Sequence, residues 1–139
     1  VPLGDSILGV GKLLANASLK PYFDHLPVGD DTFNVKFPFV STSPDAPRVV
    51  IKPLHLAQEE PNKILDHGGY WVARVSRLKK HQKLPAHVLF AIDEATDGQK
   101  KRAAAKEIAD ELRALGTDVV PIADKAAILE FADLARPKH

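Results

Sequence analysis

Neither cysteine nor methionine occurs anywhere in the 139 residues. Without cysteine there are no disulfides, no thiolate zinc sites and no cysteine nucleophile, so a packed core has to hold the fold together. The same absence is compatible with a reducing compartment, and a cytoplasmic location is the expectation. Methionine is missing even from position 1, which leads us to expect a chain processed or cut from a larger host protein. No apolar run approaches the roughly 20 residues of a membrane-spanning helix. Val1 to Gly11 lacks the basic stretch and the small-residue cleavage site of a signal peptide, so no membrane partner is expected. Charge of neither sign prevails: 19 Lys+Arg stand against 18 Asp+Glu, and any attraction to a polyanion must come from a local cluster. A glycine-rich phosphate loop is absent too, since Gly9 and Gly11 precede no strand-to-helix turn, and no serine sits in a nucleophile elbow.

What is present reads as one domain spanning residues 1–139, with a hydrophobic share of 45% that is enough for a core. Asp5 or Ser6 is placed to cap a first helix on which Ile7, Leu8, Val10, Leu13 and Leu14 recur at helical spacing. Pro21 to Asp30 breaks periodicity through Pro21, Pro27 and Gly29 and reads as a loop. From Thr32 to Val40 the pattern alternates, which predicts a strand with Phe33, Val35, Phe37 and Phe39 on one face. Pro38 cannot donate to a ladder and marks an edge or a bulge. After the turn-rich Ser41 to Pro47 comes a second strand, Arg48 to Ile51, apolar on both faces and ending on Lys52, so the two form a hairpin. Asn62 to Gln82 is helical, broken at Gly68 and Gly69, with Trp71, Val72, Val75 and Leu78 on its apolar side. His87 to Ile92 (strand), Gly98 to Leu115 (helix), Val119 to Ile122 (strand) and Asp124 to Ala135 (helix) complete a parallel crossover. The predicted fold class is α/β with a mixed central sheet: an N-terminal helix, an antiparallel hairpin, then helix, strand, helix, strand and helix.

That order resembles the core of the PD-(D/E)XK nuclease-like superfamily and implies a restriction-endonuclease-like sheet. In the family, an acid opening one strand and an acid-x-lysine on the next hold Mg²⁺, while the lysine assists an attacking water. Residue by residue, Asp31 takes the place of the first acid and Lys52 that of the lysine; Val50 stands where the second acid belongs. The resemblance spans Asp5 to Ile92 and implies a catalytic Asp31 and Lys52. If another acid takes over from Val50, it also implies Mg²⁺ on Asp31 with Glu59 or Asp66, Glu60 being the remaining near neighbour. It implies no further cofactor. A turn residue at Asp31 and a surface lysine at position 52 account for the same letters without chemistry.

A second candidate needs no metal. Arg74, Arg77, Lys79, Lys80 and Lys83, with no acid between Tyr70 and Lys83, form the densest basic cluster, and Tyr70 or Trp71 is placed to stack on an exposed base. The competing account is a solvated helix face, with Trp71 in the core in register with Val75 and Leu78. A third candidate is the acidic loop Asp93 to Gly98 after a strand end, which Thr96 or Asp97 turns into an ordinary helix cap. His55, His67 and His87 do not make a zinc pattern. The expectation is a nucleic-acid-binding domain on a nuclease-like scaffold. A Mg²⁺-dependent nuclease, and a homodimerisation or protein-interaction module using the Pro38 edge and the phenylalanine-rich face, are the alternatives.

Overall fold

The computed structural model describes residues 3–94 and 97–137, with side chains described for residues 7–93 and 97–137. Helix α1 (Leu3–Asn16) leads into strands β1 (Phe23–Gly29), β2 (Asn34–Ser41) and β3 (Val49–Leu56). Helix α2 (Pro61–Lys80), strand β4 (His87–Glu94), helix α3 (Gln99–Ala114), strand β5 (Asp118–Pro121) and helix α4 (Lys125–Ala132) follow, with short 3-10 turns at Lys20–Tyr22 and Asp133–Ala135. The strands lie in sequence order in one sheet; β1, β2 and β3 are antiparallel neighbours, and β4 and β5 continue parallel to β3. The α/β class with a mixed sheet is as expected.

The β-branched run sets the centre. Val49, Val50 and Ile51 are fully buried, because β3 has strands on both sides and helices on both faces. Val50, Leu54 and Leu56 point to the α2 and α3 side with Phe37, Phe90 and Ile92, while Val49 and Ile51 join Leu14, Leu89 and Ile128 on the α1 and α4 side. The expected second strand stopped at Lys52, but β3 runs on through Pro53 to Leu56. The paired positions between β2 and β3 are Phe39 with Ile51 and Val40 with Val50. In that register Pro38 faces Lys52, so the ladder stops where two prolines remove its donors.

Several local expectations change. Pro21 to Asp30 is not a loop, because most of it forms β1. The strand escaped detection because it is an edge, exposed at four of its seven positions, where Pro27 is tolerated and alternation is weak. Consequently β2 is interior rather than an edge, and its Pro38 is part of a bulge. Between the pairs Asp24 with Val40 and Leu26 with Phe37, β2 carries Pro38 and Phe39 opposite His25 alone. The extra residue flips the side-chain phase, so Phe39 packs on the α1 side, away from Val35 and Phe37. Phe37 is fully buried and Phe39 nearly so, whereas Phe33 stays partly exposed. Asp5 and Ser6 fall inside α1 rather than before it. Helix α3 is capped by Gly98 without a side-chain hydrogen bond; Asp97 instead pairs with Lys101 at 3.5 Å, and Thr96 lies outside the described residues.

The β1–β2 turn is held by Asp30, whose carboxylate accepts from the Thr32 and Phe33 amides at 2.9 Å each. The Phe33 amide, with smaller help from the Thr32 amide and the His81 and Lys83 charges, holds the Asp30 carboxyl below its ordinary 3.8. The folded pKa is the lower one, so this stabilisation is complete above the unfolded value and fades as pH falls through the folded one. Asp30→Ala should therefore lower the melting temperature at neutral pH, and the gap from wild type should narrow below pH 3.8. Melting curves by circular dichroism at both pH values check it; a gap that does not depend on pH would count against the carboxylate.

Candidate nucleic-acid interface

Lysine rarely sits inside a central strand. Lys52 does, 5% exposed, because β3 alternates and position 52 shares the α2 side with Val50 and Leu54. Its Nζ lies 4.6 Å from the centre of the Trp71 ring, close enough for a cation–π contact. No hydrogen bond or ion pair to Lys52 is found among the described residues. Burial pushes its pKa below the usual 10.5. Trp71 is fixed in turn by Phe37 and Phe90, at centroid distances of 5.7 and 6.4 Å. Trp71 thus packs against the core while only partly buried, and its remaining side forms a wall.

That wall bounds a cavity of about 630 Å³ lined by Lys52, Gln58, Lys63, Asp66, His67, Tyr70 and Trp71. Helix α2 supplies five of these from positions 63, 66, 67, 70 and 71, which recur on one side at 3.6 residues per turn. Burial first, then the positive charges of Lys52 and His55, push the His67 pKa down from 6.5, so its imidazole is neutral at pH 7. Behind it, at the carboxyl ends of β3 and β4, His55 Nδ1 meets Asp93 Oδ2 at 2.9 Å. Gln58 is tied down through a hydrogen bond from Nε2 to the His55 carbonyl at 3.1 Å.

Next to this cavity a groove of about 260 Å³ runs along α2, lined by Phe33, Tyr70, Ala73, Arg74 and Arg77. Each arginine lies on a ring: the Arg74 guanidinium is 4.1 Å from the Tyr70 centroid and that of Arg77 is 5.7 Å from Phe33. Arg74 Nε is buried without a hydrogen-bond partner. Tyr70, 52% exposed, borders both the groove and the cavity.

The five basic residues are not one patch. Arg74 and Arg77 share the groove, whereas Lys79 lies about 140° round the helix from Arg74 and donates to the Leu115 carbonyl at 3.2 Å. Lys80 is exposed, and Lys83 lines a separate depression with Arg48 and Pro85. Nor does the expected metal set assemble. In the β2–β3 register Asp31 is seven residues beyond the position facing Lys52, a separation on the order of 20 Å at strand rise. Asp31 sits exposed in the β1–β2 turn, Glu59 is exposed before α2, and only Asp66 shares the cavity with Lys52. No group of three His, Asp or Glu side chains fit to hold a metal occurs among the described residues. His67 is near enough to His55 to feel its charge, whereas His87 meets the Phe131 ring edge-on, with centroids 6.2 Å apart.

Missed in the sequence were His67, Gln58 and Lys63 as lining residues and the His55–Asp93 pair. The available signal was the apolar run Val49–Leu56 continuing past Lys52, which places that lysine inside a buried strand. No helix among the described residues is long and apolar enough to cross a membrane. Comparison of the chain with family models, curated proteins and solved structures finds no match.

Proposed function

We propose that this chain is a nucleic-acid-binding domain on a nuclease-like scaffold without a complete metal site. The observation that carries it is the groove on α2, where Arg74 and Arg77, one turn apart, are each braced on an aromatic ring. A braced guanidinium loses little freedom on contacting a phosphate, and the half-exposed Tyr70 beside Arg74 adds an aromatic surface for a base. Such a surface suits a single strand, whose bases are free to stack. What supports the scaffold half of the reading is the mixed sheet with Lys52 on its third strand. What argues against metal-dependent cutting is Val50, fully buried in the place of an acid, with Asp31 and Glu59 off the cavity.

Binding of a fluorescently labelled single-stranded oligonucleotide, titrated at several salt concentrations, tests the proposal. Arg74→Ala with Arg77→Ala should weaken binding several-fold and flatten the slope of log K against log salt by about 1.4, near 0.7 for each lost phosphate contact. Lys79→Ala should leave the slope unchanged, since Lys79 lies about 140° round α2 from Arg74 and does not line the groove. Absent binding, or binding indifferent to salt, overturns the reading.

A further inference from the structure

We propose that the cavity beneath Lys52 seats one nucleotide unit, its planar base on Trp71 and its phosphate on the Lys52 ammonium. This inference rests on the nucleic-acid reading above and names which part of the ligand the cavity takes.

The first argument is the unpaired cation. Lys52 is 5% exposed, lines the cavity, and has no carboxylate or hydrogen-bond partner among the described residues. Burying an ammonium without a counter-ion is unfavourable, and a ligand anion entering the cavity would supply the missing charge. Asp66 lies on the same cavity but is itself exposed, so it stays hydrated at the rim rather than neutralising Lys52. Lys63 is also exposed there and adds a second positive group near the opening.

The second argument is the wall. A free phosphate would use only the lysines, yet the cavity is also lined by Trp71 and Tyr70, rings 5.7 Å apart at nearly right angles. Trp71 is held by Phe37 and Phe90, so the part of its ring that lines the cavity beside the Lys52 ammonium is in place before any ligand arrives. A volume of about 630 Å³ falls within the roughly 300–1,000 Å³ of small-ligand pockets. The neutral His67 imidazole and the anchored Gln58 amide give uncharged donors and acceptors for a base edge.

The third argument is continuity. Tyr70 belongs to both hollows, so a strand whose backbone lies along Arg74 and Arg77 reaches the cavity past a shared aromatic residue. A terminal or everted nucleotide of that strand is the occupant that fits both hollows.

Trp71 is the sole tryptophan in the chain, so intrinsic fluorescence reports on this cavity. The intact protein should show saturable quenching when titrated with AMP, excited at the red edge of the indole band, and little response to inorganic phosphate. Lys52→Met should weaken AMP binding by about tenfold or more, as loss of a charge-assisted contact implies, whereas Lys52→Arg, which keeps the charge, should retain part of it. The Arg74→Ala, Arg77→Ala variant should still bind AMP while losing oligonucleotide affinity. No saturable response to AMP, or equal quenching in Lys52→Met, overturns the cavity assignment. If oligonucleotide binding with its salt slope persists in that case, only this inference falls; if it too is absent, both fall.

Discussion

Alanine at position 69 should raise the unfolding free energy by about 1 kcal/mol, and alanine at position 68 should lower it by roughly 1–2 kcal/mol. The two glycines are neighbours in the middle of α2, so intrinsic helix propensity favours alanine equally at both. Their surroundings differ. A Cβ on Gly69 would meet nothing within 4 Å, so only the propensity gain is felt. A Cβ on Gly68 would lie 2.5, 2.6 and 2.8 Å from Cγ1, Cγ2 and Cδ1 of Ile108 on α3. Ile108 is β-branched and 1% exposed, leaving it no free rotamer, so α2 and α3 have to separate. Overpacking of this kind costs about 1–3 kcal/mol, which outweighs the propensity gain. Urea unfolding of the single variants and of Gly68→Ala with Ile108→Ala checks the cause. Ile108→Ala removes all the clashing atoms and leaves a void that the new methyl partly fills, so the double variant should be more stable than the sum of the singles by at least about 1 kcal/mol. Strict additivity would mean that Gly68 does not set the distance between the helices.

The same pair of residues shows where the sequence was legible and where it was not. Apolar periodicity over Ile64, Trp71, Val75 and Leu78 was enough to place the helix and its buried side. It could not show that the helix runs unbroken through Gly68 and Gly69, because the reason is a side chain 40 positions away on α3. Pro38 gave a correct warning of irregularity, yet a lone sequence does not say whether a proline ends a strand or bulges it. That choice decided which side of the sheet Phe39 occupies. Strand β1 stayed hidden because an edge strand buries little, and its Pro27 and Gly29 carry the letters of a loop. Half of the site was visible in the same way. Arginines at a spacing of three predict a shared stripe on α2, but not that Phe33, from the β1–β2 turn, would brace one of them. The resemblance pointed to Lys52 through a metal motif, whereas in the fold its nearest notable neighbour is an aromatic ring.

Replacing Lys52 with methionine should make the ligand-free protein more stable, even though it should remove the anion contact proposed above for the cavity. The two side chains are unbranched and of similar reach, so methionine can occupy the same channel and place its sulfur near Trp71. The change removes an ammonium that is 5% exposed and has no counter-ion among the described residues, a burial that mutational data put at about 1–3 kcal/mol for a polar group. Part of that returns as the cation–π attraction to Trp71, so the net gain is on the order of 1 kcal/mol. The pH dependence separates this cause from better packing. Burial places the folded-state pKa of Lys52 below its unfolded value of 10.5. Between those two values the unfolded chain holds more protons than the folded one, so wild-type stability gains from this residue as pH rises through that window. Below the window the folded protein bears the whole cost of a buried charge. Methionine does not titrate, so its advantage should be constant at neutral pH and should shrink as pH climbs toward 10.5. Taking the difference between wild type and variant cancels the other lysines and the tyrosines that titrate in the same range. Urea unfolding of both proteins, at neutral pH and near the upper limit at which the wild type still folds reversibly, gives that difference directly. An advantage that does not change with pH would assign the gain to packing, and a less stable variant at every pH would mean that Lys52 already has a stabilising partner in the free protein.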